Sequence, residues 1–134
     1  MGIKWYLIGI VQYSYRMDAV SKTPESLLPL KHVWFHILLA IAGGARHGYA
    51  IRKEVELRTD GTVRLWPTTL YGAIAQLVDL ELITETETPD ADDERRRLYE
   101  LTRLGRRTLA AEADRLEGLV RAVRNAEGRV SSRG

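Results

Sequence analysis

The sequence predicts a mainly α-helical fold with one small β-hairpin, followed by a long C-terminal helix. Three helical segments come first, in which apolar residues recur every three or four positions. Alternating apolar and polar residues then predict one strand at residues 83–88 and a second at residues 97–102. Three helices followed by such a hairpin form a winged helix-turn-helix.

The first two predicted helices supply much of the expected core. The first runs from Leu30 to Ala42 and is apolar on nearly all sides, so it has to be covered on more than one side. Gly43 and Gly44 end it. The second helix runs from about residue 48 to residue 58, with one apolar side and a charged side that faces water.

The third predicted helix begins at Pro67, since a proline at the first helical position loses no intrahelical hydrogen bond. Leu70, Ile74 and Leu77 are spaced to form one buried stripe. Few residues of the opposite face are long or charged, so this face can approach another surface closely. That face consists of Thr68, Thr69, Gly72, Ala75, Gln76 and Asp79.

Charge is distributed unevenly along the chain. The formal net charge of 134 residues is only +2. Residues 67–94 nevertheless contain eight acidic residues and no Lys or Arg, whereas residues 95–134 contain eleven basic and five acidic residues. Binding to nucleic acid depends on a local basic face more than on the total charge. The totals alone therefore do not decide the function.

The last predicted helix begins after Thr102, which can cap it, and runs to about Glu127. Apolar residues along it are separated by alternating steps of four and three, a period that is typical of a seam between two helices. The seam residues are Leu109, Ala113, Leu116, Val120 and Val123.

Four segments follow from these patterns. They are an N-terminal extension outside the core (1–26), a winged-helix domain (27–102), a dimerisation helix (103–127) and a tail (128–134). The polar stretch after Met17 resembles a natural start, so we expect residues 1–16 to be dispensable.

Several segments together resemble the PadR family of bacterial regulators, in particular its smaller subgroup with one short C-terminal helix. The matching segments, in order, are HGYAI at 47–51, PTTLYGA at 67–73, LI at 82–83, LT at 101–102 and GR at 105–106. The resemblance implies a homodimer joined through its C-terminal helices, with the third helix contacting DNA and the hairpin as a wing. It also implies repression of transcription and release of DNA when a small molecule binds near the dimer interface.

The chain departs from the family pattern at three places. Glu81 stands where the family usually has a glycine, at a position that tends to require a positive φ. The wing tip at residues 90–94 is acidic, which argues against its touching phosphate. The C-terminal helix also lacks the aromatic residue with which some family members hold flat ligands.

Candidate DNA-binding side chains lie on the third helix and around it. Hydroxyl groups of Thr68, Thr69 and Tyr71 can bind phosphates or base edges, and the amide of Gln76 can bind adenine at two points. The alternatives are a half-buried Tyr71 ring and a solvated Gln76. The basic candidates for phosphate binding are Lys53, Arg64, Arg95, Arg96 and Arg97. The last three can instead pair with the acidic residues of the wing tip.

Other kinds of site have little support in the sequence. His32 and His36 have a spacing that can hold a metal, but no third ligand is evident and no metal or cofactor is expected. Trp34 and Phe35 are the expected walls of any ligand pocket. We find no catalytic arrangement of side chains and no apolar run long enough to span a membrane. The absence of cysteine fits a cytoplasmic protein.

Three functional hypotheses remain open at this point. The first is a dimeric DNA-binding transcriptional regulator, a repressor that binds a palindromic operator in double-stranded DNA and is relieved by a small-molecule effector. The second is a winged-helix module that binds another protein. The third is a ligand-binding dimer that does not bind DNA.

Overall fold

Four helices and three short strands make up residues 23–87 and 97–133, the part of the chain that the computed structural model describes. A 3₁₀ turn at Glu25–Leu27 comes before them. The elements are α1 (His32–Ala40), β1 (Arg46–His47), α2 (Gly48–Arg58), α3 (Pro67–Asp79), β2 (Ile83–Glu87), β3 (Arg97–Leu101) and α4 (Arg103–Arg133). The predicted fold class is therefore confirmed. Residues 1–22 and 88–96, which include the acidic wing tip, lie outside the described residues.

Helix α1 lies in the centre of the fold, with Ile37, Leu38 and Ile41 almost completely buried. The helix is shorter than predicted at both ends. At its C-terminal end, the N–H groups of Ile41 and Ala42 bond to carbonyls three residues back rather than four. This tighter turn ends the α-helix at Ala40, before the two glycines.

Helix α2 has the predicted bounds, α3 begins at Pro67 as predicted, and the predicted stripe of Leu70, Ile74 and Leu77 is buried. Helix α3 ends in a hydrogen-bonding pattern in which the Leu82 N–H donates to Leu77 O at 3.0 Å and the Glu81 N–H donates to Val78 O at 2.9 Å. Glu81 has a φ of 64°. The expectation of a left-handed residue here is confirmed, and a residue other than glycine costs roughly 1 kcal/mol in this conformation.

The hairpin belongs to a three-stranded antiparallel sheet in the order β1-β3-β2. Strand β3 pairs with β2 through Ile83 opposite Leu101, and with β1 through His47 opposite Leu98. The sequence predicts β2 and β3 but not β1. Strand β1 has two residues, and a strand of that length has no periodicity that could be recognised in the sequence.

Helix α4 begins as predicted, with the N–H of Gly105 donating to the Thr102 hydroxyl at 2.9 Å. It continues to Arg133, beyond the predicted end near Glu127, because Gly128 does not interrupt it. Its 31 residues make it roughly 46 Å long. The 3₁₀ turn at Glu25–Leu27 contacts this helix. Most of this turn belongs to residues 1–26, the segment that the sequence predicts to be an extension outside the core.

A buried carboxylate joins α4 to the start of α1. Glu112 is 2% exposed and accepts a hydrogen bond from the Leu30 N–H at 3.2 Å. Arg115 donates to both carboxylate oxygens, at 2.6 and 2.9 Å. These charge-assisted bonds from Arg115 lower the pKa of Glu112, although burial opposes the shift. The contribution of Glu112 to stability is therefore present at neutral pH and lost as the pH falls through its lowered pKa.

We expect Glu112→Gln to lower the free energy of unfolding by about 2 kcal/mol at pH 7, the usual contribution of hydrogen bonds to a charged group. The difference from the wild type should narrow below the ordinary carboxyl pKa of 4.5, because the Glu112 carboxyl then takes up a proton in the unfolded chain while its lowered pKa keeps it charged in the folded one. Urea unfolding between pH 7 and 3 measures this. Glu117→Gln, an exposed change on the same helix, should have little effect. A constant difference across this range would contradict the role of the charge.

Candidate nucleic-acid interface

The outer side of α3 carries small side chains. Because Leu70, Ile74 and Leu77 point into the core, Thr68, Gly72 and Ala75 lie on the exposed side. None of these three residues is larger than threonine. The helix can therefore approach a groove closely, and the helix N-terminus supplies N–H groups that favour phosphate.

Thr69 and Gln76 lie on the side of α3 that faces α1. An open groove of about 400 Å³ separates the two helices. Its walls include Lys31 directly before α1, His32 and Trp34 from α1, and Thr68, Thr69, Gly72 and Gln76 from α3. The start of α1 therefore lies beside the predicted DNA-binding residues, which the sequence did not indicate.

Gln76 is exposed but is not simply solvated. Its Oε1 accepts a hydrogen bond from the Trp34 indole N–H at 3.2 Å. The Lys31 ammonium lies over the Trp34 ring, 4.7 Å from its centre. Trp34 is half-buried against the core, as is Phe35. Trp34 thus links α1 to a predicted DNA-binding residue.

Tyr71 lies on the other side of α3, beside the start of α2. A Cβ atom at Gly48 would be only 2.6 Å from the Tyr71 hydroxyl oxygen. Gly48 therefore leaves room for the Tyr71 ring, which is half-buried and packs against the core. The hydroxyl therefore lies beside the first turn of α2.

Basic residues around α3 have acidic or aromatic neighbours. Arg64 pairs with Glu56 at 3.4 Å, although most of its side chain is exposed. The Lys53 ammonium lies 5.5 Å from the centre of the exposed Tyr49 ring, and Arg52 lies at a similar distance from it. Surface pairs of this kind contribute little to stability, so these cations remain available to a phosphate.

Arg97, on the wing, pairs with Glu85 on the neighbouring strand at 2.8 Å. Its backbone carbonyl accepts a hydrogen bond from His47 Nδ1 at 3.1 Å. The sequence suggests the acidic residues of the wing tip as the alternative to phosphate for this arginine. The observed partner, Glu85, lies instead on strand β2. Arg95 and Arg96 lie outside the described residues.

Sequence reasoning missed Trp66, which directly precedes α3 and is 64% exposed. Aromatic side chains are enriched at binding surfaces, so a tryptophan next to Pro67 was an available signal. Sequence reasoning also missed Lys31, because the proximity of this residue to α3 depends on how α1 packs.

Helix α4 displays exposed apolar residues in its C-terminal part. Val120 and Val123 of the predicted seam are 51% and 58% exposed, and Leu116 is half-buried. Ala113 is exposed, whereas Leu109 packs against the core of its own chain. The same stripe includes two residues that the prediction omitted, Leu119 and Val130. The exposed apolar surface thus lies further toward the C-terminus than predicted.

His32 and His36 contact each other edge to face, with ring centres 4.6 Å apart. Burial, His32 and Arg58 lower the pKa of His36. Within residues 23–87 and 97–133, no three His, Cys, Asp or Glu residues are grouped as a metal site would require. No helix in these ranges is sufficiently long and apolar to cross a membrane.

Comparison with known proteins identifies a matching family. The model of the transcriptional regulator PadR-like family matches residues 37–111. An uncharacterized 37.1 kDa protein of transposon Tn4556 from Streptomyces fradiae is 40% identical over 87 residues, which are 63% of this chain and 24% of that protein. The match thus spans about a quarter of the length of this curated relative.

Solved structures agree with this match. A transcriptional regulator from Clostridium thermocellum is 26% identical with a TM-score of 0.59, and the match covers 70% of this chain and 88% of that one. RosR from H. salinarum is 26% identical with a TM-score of 0.55, covering 79% and 94%. F93 from STIV, a winged-helix DNA-binding protein, is 22% identical with a TM-score of 0.53, covering 66% and 89%; this likeness concerns the fold alone.

Proposed function

The chain belongs to the PadR-like family of transcriptional regulators, which are DNA-binding proteins and not enzymes, and we propose that it is a homodimeric repressor that binds a palindromic operator. The observation that carries this proposal is the exposed side of α3, where small residues allow close approach and polar residues flank them on both sides. The similarity to a transcriptional regulator from Clostridium thermocellum, which is 26% identical, supports the proposal.

In the proposed complex, α3 enters the major groove and the wing lies beside it. Thr68, Thr69, Tyr71 and Gln76 contact bases or the backbone nearest α3. Phosphate contacts come from Lys53, Arg64, Arg95, Arg96 and Arg97. Arg97 would bind phosphate either in addition to Glu85 or in place of it. Two copies related by a two-fold axis would place their α3 helices about 34 Å apart, one turn of DNA.

The proposed dimer forms through the exposed apolar residues in the C-terminal part of α4. An apolar stripe on a helix this long is suited to packing against the same stripe of a second copy.

Relief of repression by a small molecule is proposed to act through Trp34. Since this side chain bonds Gln76, a ligand that displaced Trp34 or the adjacent Phe35 would disturb the DNA-binding side of α3 directly.

Selection of bound sequences from a random DNA pool tests the proposal. We expect a palindrome with half-sites one helical turn apart, and binding that weakens steeply with salt because phosphate contacts release counterions. If no sequence is enriched above the starting pool, the DNA-binding proposal fails. Capture of a protein partner through α3 would then favour a protein-binding module, and dimerisation with ligand binding but no DNA binding would favour a ligand-binding dimer.

Thr69→Ala and Tyr71→Phe should each weaken binding to the selected operator by roughly 1–3 kcal/mol, the usual cost of losing one specific contact. Phenylalanine retains the ring over Gly48, so the second change removes the hydroxyl alone. Fluorescence anisotropy titrations measure the effect. Asn125→Ala, which removes an exposed polar group from α4, should bind normally. Unchanged affinity in both α3 variants would mean that this part of α3 does not contact DNA.

A further inference from the structure

The bond between Trp34 and Gln76 fixes which end of the Gln76 amide faces α1. The two atoms, indole Nε1 and amide Oε1, are 3.2 Å apart. An indole N–H can donate but has no acceptor, so the amide must turn its oxygen toward Trp34. The NH₂ end, which has two hydrogens to donate, is then directed away from Trp34.

Trp34 is itself held in place on two sides. One part of its ring packs against the buried core, and Lys31 lies over the ring at 4.7 Å from its centre. A cation at this distance is attracted to the ring face. The side chain is therefore a fixed support, and the orientation that it imposes on the amide is maintained by packing in α1.

The position of Gln76 on α3 allows its amide to reach the groove. Helical side chains lean toward the N-terminus and cover the residue four positions earlier. For Gln76 that residue is Gly72, where even an added Cβ would have no atom within 4 Å. The space above Gly72 is therefore open, and Gln76 lines this groove together with Thr68 and Thr69.

We propose that Trp34 is a positioning residue that makes Gln76 a hydrogen-bond donor toward DNA, so that Gln76 prefers guanine to adenine. This inference rests on the proposed function. Guanine presents two acceptors in the major groove, N7 and O6, whereas adenine presents an acceptor at N7 and a donor at N6. An amide that offers its NH₂ group matches guanine. Pairing with adenine at two points requires the amide oxygen as well, and Trp34 already engages that oxygen.

The test repeats the DNA selection with three further variants. Gln76→Ala identifies the base pair that Gln76 contacts, because the preference there should disappear. Trp34→Phe retains an aromatic ring but removes the N–H, so the amide is free to turn. We expect the wild type to prefer guanine at that base pair, and Trp34→Phe to shift the ratio of guanine to adenine about tenfold toward adenine. Asn125→Ala, which removes an exposed polar group from α4, far from this contact, should leave that ratio unchanged.

The outcomes separate this inference from the proposed function. Thermal melting shows first that each variant is folded. If the wild type selects a palindrome but Gln76→Ala alters no base preference, Gln76 does not read a base and the inference is overturned, while the proposed function stands. If Trp34→Phe is folded and its preference for guanine is unchanged, the inference is also overturned. If the wild type selects no palindrome, the proposed function fails, and the inference fails with it.

Discussion

A chain carrying both Val120→Glu and Val123→Glu should sediment as a folded monomer and bind its operator at least a hundredfold more weakly. Both side chains are more than half exposed in the single chain, so glutamate at these positions should not disturb the core. In a two-fold dimer, however, the same changes would bring four carboxylates into an apolar interface, and burying unpaired charge is costly. Operator binding would fall because a monomer contacts one half-site.

A control with the same change in net charge is available on the opposite side of the helix. Arg121→Ala with Asn125→Glu also lowers the charge by two, at exposed positions outside the apolar stripe. This control should remain a dimer. Sedimentation velocity gives the oligomeric state, and circular dichroism shows whether each variant is folded. If the Val120/Val123 variant sediments as a folded dimer, the interface lies elsewhere.

Local periodicity was sufficient to predict the helices of the winged helix. The start of α3 was correct because Pro67 has a local structural effect, and the bounds of α2 were also correct. The Thr102 cap was predictable for the same reason, since the residue and its backbone partner are only three positions apart. Features that depend on neighbours along the chain can be recognised in a single sequence.

Features that depend on distant contacts could not be predicted. Strand β1 exists because residues 46 and 47 pair with β3, about fifty positions later. Glu112 looks like a surface residue of an amphipathic helix, yet it is buried because it bonds the backbone of Leu30, 82 positions earlier. Nothing near either segment in the sequence indicates its partner.

The candidate site shows the same division. The sequence indicated which side chains have the chemistry to contact DNA, but it did not indicate the partners that orient them. Gln76 was expected either to bind adenine or to be solvated, and the sequence did not indicate that its amide oxygen bonds Trp34. Tyr71 was considered half-buried as an alternative, but its fit over Gly48 depends on how α2 packs against α3.

Two glycines of α4 should respond in opposite directions to the same substitution. Gly105→Ala should lower the free energy of unfolding by about 3 kcal/mol or more, at the upper end of the usual cost of overpacking. Gly118→Ala should raise it by roughly 0.5–1 kcal/mol, because alanine favours an exposed helix more than glycine does. A Cβ at Gly118 would have no other atom within 4 Å.

The large effect at Gly105 follows from what a Cβ would meet there. It would overlap the backbone carbonyl oxygen of Leu82 and lie 3.0 Å from the carbonyl carbon. That carbonyl cannot move away easily, because it accepts the Thr102 N–H at 3.0 Å and the Leu82 N–H bonds to α3. Gly105 therefore lies where the end of α3, the first wing strand and the start of α4 meet.

Thermal melting at one fixed protein concentration measures both effects, since the stability of a dimer depends on its concentration. The Gly105 variant should melt about 10 °C or more below the wild type, and the Gly118 variant slightly above it. A small loss at Gly105 would mean that α4 can shift away from Leu82 without disturbing the wing. The position of the wing relative to α3 would then not depend on this close contact, and operator affinity in the Gly105 variant should remain at the wild-type value.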